Sequence, residues 1–126
     1  MLSNRRAYPT IPASNMGRAK AWYKDKLGLV PSGDTIGGVV YTLGAGTGFM
    51  LYETQFAGQA PNTLMGFDST NVSDDVRALR AKGVVFEDYD FPGLKTVDGI
   101  ADMNGFQGAW FKDSEGNILA IGNEPS

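Results

Sequence analysis

The chain has 126 residues, 42% of them apolar, and a formal net charge of −3, proportions that suit one compact globular domain. It contains no cysteine and no histidine, which excludes disulfides, thiol nucleophiles, iron–sulfur clusters, imidazole metal sites and Ser-His-Asp triads. No apolar run approaches the ~18 residues of a membrane-spanning helix, no basic block extends beyond Arg5-Arg6 to mark a nucleic-acid footprint, and the N-terminus lacks an apolar signal stretch, so the expected location is cytoplasmic.

In chain order, Tyr8 to Ala13 reads as a short strand whose prolines place it at an edge or fall at strand ends. Ser14-Asn15 offers an N-cap for a helix over Met16 to Leu27, with Met16, Ala19, Trp22, Tyr23 and Leu27 on one face and Gly28 as its C-cap. Strands follow at Leu29 to Ser32, Val39 to Leu43 and Phe49 to Glu53. The glycine-rich stretch Gly44 to Gly48 lies between two strands and opens no helix, so it reads as a hairpin turn and not a phosphate loop.

The order then recurs. Thr63 to Asp68 is a strand, and Asn71 caps a helix over Val72 to Lys82. Asp74 and Asp75 in its first turn and Arg80 and Lys82 in its last suit the helix dipole. Val84 to Asp88, Phe106 to Lys112 and Asn117 to Ile121 are further strands, with 89–105 expected as a long loop. Asn15 and Asn71 are 56 residues apart, as are Tyr8 and Leu64, and Val40-Tyr41-Thr42 matches Ala109-Trp110-Phe111 at an offset of 69. The expected organisation is therefore a single domain, 1–126, of two pseudo-repeats, about 5–56 and about 61–124.

Two segments carry a resemblance. Arg18-Ala19-Lys20-Ala21-Trp22-Tyr23-Lys24-Asp25-Lys26-Leu27-Gly28-Leu29 is similar to the first-helix signature of the vicinal oxygen chelate superfamily, which includes glyoxalase I, extradiol dioxygenases and bleomycin-resistance proteins. Ala109 to Leu119, with its turn Asp113-Ser114-Glu115-Gly116-Asn117, is similar to the superfamily's C-terminal motif. The resemblance implies an α+β fold of two tandem βαβββ modules, with curled mixed sheets around a cleft and helices outside. It also implies a homodimer in which modules pair between chains, so that each cleft draws on both.

Enzymes of that superfamily hold a divalent metal with His, Gln or Glu at four positions. By the resemblance these fall at Tyr8, Leu64, Ala120 and, by the offset of 69, Leu51, with a slip to Met50 or Glu53 also open. Leu and Ala have no lone pair to give, and a lone phenol does not hold a catalytic ion. The expectation is that there is no metal and no cofactor.

Strand alternation then selects the cleft lining. If Ala120 faces the cleft, so do Ile118 and Gly122; the resemblance to the dioxygenases implies that Trp110 faces it too, with Tyr41 as its counterpart, and the same logic turns Tyr8, Thr10, Phe49, Leu51, Glu53, Leu64, Gly66 and Lys112 inward or toward the mouth. Aromatic side chains without a metal suit a flat, apolar ligand. The expected function is non-enzymatic sequestration of a hydrophobic aromatic natural product, as in antibiotic self-resistance. The alternative is a metal-independent enzyme of lyase or isomerase type on the same fold. With no histidine, its acid–base chemistry would fall to Glu53, Lys112 or Tyr8.

Overall fold

Asn15 ends the first strand and begins the first helix. In the computed structural model, which describes residues 1–123, its side chain accepts the Arg18 N–H at 3.0 Å and so satisfies one of the orphan donors of a helix start. The first strand is β1 (Thr10–Ala13) and the helix is α1 (Met16–Leu27). Gly28 closes the helix in the left-handed conformation (φ 69°), with Gly28 N–H donating to Lys24 O and Leu29 N–H to Tyr23 O, an arrangement open to glycine at little cost. Three strands complete the first half: β2 (Gly33–Thr35), β3 (Gly38–Thr42) and β4 (Gly48–Glu53). They form a mixed sheet of order β1-β4-β3-β2, in which β1 runs parallel to β4.

The second half begins with β5 (Thr63–Ser69) and α2 (Val72–Ala81), the latter capped by Asn71. It continues through β6 (Asp90–Phe91), β7 (Leu94–Val97), β8 (Ile100–Met103), β9 (Phe106–Lys112) and β10 (Ile118–Asn123), in a six-stranded sheet of order β5-β10-β9-β8-β7-β6. Over the described residues this is an α+β fold with two α-helices and two mixed sheets that do not close into a barrel. The expected end of the second half at 124 lies outside the described residues.

Three expectations are corrected. The segment 29–32 is not a strand; Pro31 has no N–H to give a ladder, and pairing starts at Gly33. The segment 84–88 makes only a bridge between Phe86 and Phe111. The expected loop 89–105 is instead three short antiparallel strands, joined in part by Asp98-Gly99 and Asn104-Gly105. Both residues of each pair have positive φ (52° and 81°, 56° and 90°), as type I′ hairpin turns require.

One hydrophobic cluster serves both sheets. Ile11, Tyr41, Phe49 and Leu51 from the first sheet join Met65, Ala109, Phe111, Leu119 and Ile121 from the second, with Ala19 and Tyr23 of α1 and Val72 and Val76 of α2. Burying a side chain such as Leu51 or Phe111 contributes roughly 1.5–3 kcal/mol. Trp22 of α1 stacks on Phe111 of β9, ring centroids 6.2 Å apart. Both sheets therefore turn one face toward this shared core, and their other faces look away from it.

The helix α1 is bolted to the β9–β10 turn by buried polar groups. The Tyr23 hydroxyl donates to Asp113 Oδ2 at 2.6 Å. Asn117 Nδ2 donates to Pro12 O at 2.7 Å and to Asp113 Oδ2 at 2.9 Å. Glu115, whose side chain is 0% exposed, accepts from Asn15 N–H (2.9 Å), Arg18 Nε (2.8 Å) and Ser114 Oγ (2.8 Å). Burial alone would raise the Glu115 pKa; these donors, Arg18 foremost, outweigh it and hold the carboxyl at about 2.

Candidate functional site

The site is built on the two faces that look away from the core. On the second sheet, the register places Trp110 beside Ala120 and Ala120 beside Gly66. This row across β9, β10 and β5 runs from large to small to none, so open floor lies next to the indole. The Trp110 ring lies over Gly108, where an added Cβ would come within 3.1 Å of the ring. Tyr89 meets Trp110 nearly edge-on, centroids 5.7 Å apart at 65°, and Phe91 stacks on Tyr89 at 5.7 Å and 27°. Lys112 pairs with Glu87 at 3.5 Å, both partly exposed. Leu64 sits at the β5 bulge, half-buried.

On the first sheet, alternation places Thr10, Met50 and Val40 in one row across β1, β4 and β3. Tyr8, 52% exposed, borders a cavity of about 190 Å³ with Arg6, Thr35, Val40 and Met50. A larger groove, about 720 Å³, runs between the halves, bordered by Arg6, the Gly44–Gly48 turn, Gly66 and Asp68. A third cavity, about 400 Å³, lies on the helix side among Leu27, Leu43, Phe67, Leu79 and Phe111.

The residues expected in the cleft divide accordingly. Thr10, Gly66, Trp110, Lys112 and Ala120 lie on the outward faces, with Tyr8 just before β1. Tyr41, Phe49 and Leu51 are buried in the core, Tyr41 stacked on Phe49 at 4.6 Å and Tyr23 packed against both, though Tyr41 and Phe49 also border the cavity at Tyr8. Glu53 shares their parity and ends exposed at the strand terminus. The cause is register. The outward pairs Val40 and Trp110, and Met50 and Ala120, are 70 apart in sequence, not 69, and a one-residue slip sends every side chain to the other face. The outward residues on the first sheet are Val40, Met50 and Tyr52. Tyr89 and Phe91, expected on a loop at one end of the cleft or as a surface excursion, are not among the expected lining residues but stand in series with Trp110.

The corrected register makes the metal test sharper. The four positions become Tyr8, Met50, Leu64 and Ala120, and a thioether is a poor ligand for a hard divalent ion. Among the described residues, no group of three or more His, Cys, Asp or Glu side chains stands close enough to hold a metal. The residues present do not fit the superfamily's metal.

Groups with displaced pKa values are few. Burial and the Glu87 charge raise Tyr89. Burial and then the Asp113 charge raise Tyr23. Hydrogen bonds from Thr96 and Gly99 lower Asp88. The displaced carboxylates, Asp88 and Glu115, are thus held ionised in structural bonds away from the Trp110 floor.

No protein-family model matches the sequence, and no curated protein matches it. Solved structures do match. UcmS2 aligns over 95% of this chain and 98% of its own, at 19% identity and a TM-score of 0.75. A glyoxalase/bleomycin resistance protein from Catenulispora acidiphila aligns over 95% and 98%, at 21% identity and a TM-score of 0.66. The oxidase ChaP-H2 aligns over 98% and 95%, at 19% identity and a TM-score of 0.68. The chain has the fold of the vicinal oxygen chelate superfamily, a fold shared by resistance proteins and enzymes alike.

Proposed function

We propose that this chain, folded as the glyoxalase and bleomycin-resistance proteins are, binds a flat, hydrophobic aromatic small molecule without metal and releases it unchanged. The observation that carries this reading is the Trp110–Ala120–Gly66 row, an indole beside open floor, with Ala120 standing where the resemblance puts one of the superfamily's metal ligands. A ring laid on that floor gains area burial and aromatic contact with Trp110. Sequestration of a toxic natural product is the biological role that such a site serves best.

The reading includes a second copy of the chain. The two outward faces look away from a common core, so neither closes the other. The outer edges of β1 and β5 make no ladder with any of the described residues. A partner's first sheet laid opposite the Trp110 floor turns one wall into a cleft. The single-domain organisation and its two pseudo-repeats belong to the same proposal. No helix among the described residues is long and apolar enough to cross a membrane.

A metal-independent enzyme on the same site is the second reading, favoured by the Lys112–Glu87 pair beside Trp110. Titration of intrinsic fluorescence with planar polycyclic antibiotics, followed by mass spectrometry of the recovered compound, separates the two. Saturable quenching at one ligand per cleft, lost in Trp110→Ala, with the compound intact, supports sequestration. A chemically altered compound supports the enzyme. Absence of binding across the panel refutes the aromatic-ligand reading.

A further inference from the structure

Between α2 and β9 the second half adds β6 and β7, which have no counterpart in the first sheet, where β2 alone flanks β3 as β8 flanks β9, and the added segment is built in two parts of different character. Its base is tied down. The Asp88 carboxylate accepts from Thr96 Oγ1 at 2.8 Å and from Gly99 N–H at 2.9 Å. Thr96 Oγ1, in turn, accepts the Tyr89 N–H at 2.8 Å, and Thr96 N–H donates back to Tyr89 O at 2.9 Å. Arg80 of α2 donates to Asp98 O at 2.6 Å, with its guanidinium 5.5 Å above the Phe86 ring. Thr96 is buried at the centre of this knot.

What the knot holds up is apolar and uncovered. Phe91 is 59% exposed and Val97 67%, yet Phe91 is not loose: it stacks on Tyr89, which abuts Trp110. The hairpin does not need an exposed phenyl ring to stay folded, because its base bonds are polar and local. The three rings run in series outward from the Gly66–Ala120 floor, and the step between Trp110 and Tyr89 is a corner of 65°. A planar ligand stacked on one wall of such a corner meets the other with its edge, and both contacts are favourable aromatic geometries. A single ring reaches one wall. A fused polycycle reaches both.

We propose that the β6–β7 hairpin is the length-selecting wall of the ligand site, and that the ligand is a fused planar system of at least three rings running from the Gly66–Ala120 floor past Trp110 to the Tyr89–Phe91 stack. This rests on the cleft reading above and assigns Phe91 as a specificity residue that the floor alone does not require.

The test uses the full chain and a graded set of probes: phenol, 2-naphthol and alizarin, with binding read by equilibrium dialysis. In the wild type, affinity rises with ring number. Phe91→Ala weakens alizarin about tenfold or more, the equivalent of about 1.4 kcal/mol, and leaves phenol unchanged. Trp110→Ala weakens every probe that binds. Phe91→Leu keeps apolar bulk without the ring, and mass in solution is measured for each variant. Loss of alizarin affinity in Phe91→Leu at unchanged mass supports the assignment. Full alizarin affinity in Phe91→Leu, alongside loss in Trp110→Ala, overturns the hairpin's role and leaves the cleft reading standing. No binding of any probe by the wild type overturns both.

Discussion

Glu115 offers the most quantitative test of how the two halves are joined. Replacing it with Gln keeps the shape and removes the charge. One carboxylate oxygen accepts Asn15 N–H at 2.9 Å and Arg18 Nη2 at 3.0 Å; the other accepts Arg18 Nε and Ser114 Oγ, both at 2.8 Å. A glutamine amide can offer only one oxygen, so its NH₂ group is forced against donors whichever way it turns. Hydrogen bonds to a charged group contribute about 1.5–3 kcal/mol each. The Arg18 side chain is about half exposed and regains water, so solvent discounts its share. The expected cost of Glu115→Gln is about 2–3 kcal/mol, or roughly 6–12 °C in Tm for a domain of this size. Chemical denaturation at pH 7 reads it, with Arg77→Ala as the internal control. Arg77 pairs with Asp74 at 3.0 Å, but both side chains are largely exposed, so less than about 0.5 kcal/mol is expected there.

The same substitution has a pH signature. The folded Glu115 carboxyl sits at about 2 against an ordinary 4.5, so its contribution is present in full above about pH 4.5 and is lost as pH falls toward about 2. The stability gap between wild type and Glu115→Gln therefore holds at pH 7, narrows through pH 4 and 3, and closes near pH 2. A gap under 0.5 kcal/mol at pH 7, or one unchanged between pH 7 and pH 3, would refute the reasoning.

Two buried tyrosines give opposite expectations for the same chemical change. The Tyr23 hydroxyl donates to Asp113 at 2.6 Å, so Tyr23→Phe costs about 1.5–3 kcal/mol by denaturation. The Tyr41 hydroxyl is buried without a hydrogen-bond partner among the described residues, so Tyr41→Phe is neutral or stabilises by up to about 1 kcal/mol; a loss above 1 kcal/mol would show that the hydroxyl has a partner. Gly38 has φ 155°, and an added Cβ there would collide with the Leu51 carbonyl oxygen. Gly38→Ala is expected to lower Tm by 5 °C or more, measured by thermal melting. Met50→Trp, on the outward face of the first sheet, is expected to leave Tm within a few degrees, whereas Leu51→Trp, one residue along in the core, unfolds the chain; circular dichroism checks both.

The helix starts were legible to the residue because Asn15 and Asn71 cap them, and Gly28 marks the end of the first; the second ends at Ala81, one residue before the expected Lys82. Parity in the last strand was legible for a similar reason, since Leu119 and Ile121 alternate with Ala120 and Gly122 and turn inward, as Phe111 does beside them. The first sheet misled because β3 and β4 are apolar at successive positions, Val39-Val40-Tyr41 and Phe49-Met50-Leu51, and a run without alternation does not declare its faces. An internal alignment off by one then placed Tyr41 and Phe49 in the cleft. The hairpins within 89–105 did carry a signal, Asp98-Gly99 and Asn104-Gly105, which went unread because the strands between them are only two to four residues long. Tyr89 and Phe91 were legible as the aromatic residues of that stretch, but not the strands that hold them.

The bolt between α1 and the β9–β10 turn also constrains how the chain acquires its structure. Asn15 and Glu115 are 100 residues apart, Tyr23 and Asp113 are 90 apart, and Asn117 reaches back 105 residues to Pro12. The first helix can wind early on its own caps, but its buried tyrosine and its N-terminal turn stay unsatisfied until nearly the whole chain has been made. Closing such long loops precedes the reward, so folding is slow for a domain of this size. A chain cut in the 54–62 connection leaves the first half with an exposed tyrosine hydroxyl and an open core, able to complete itself only by finding the second half again.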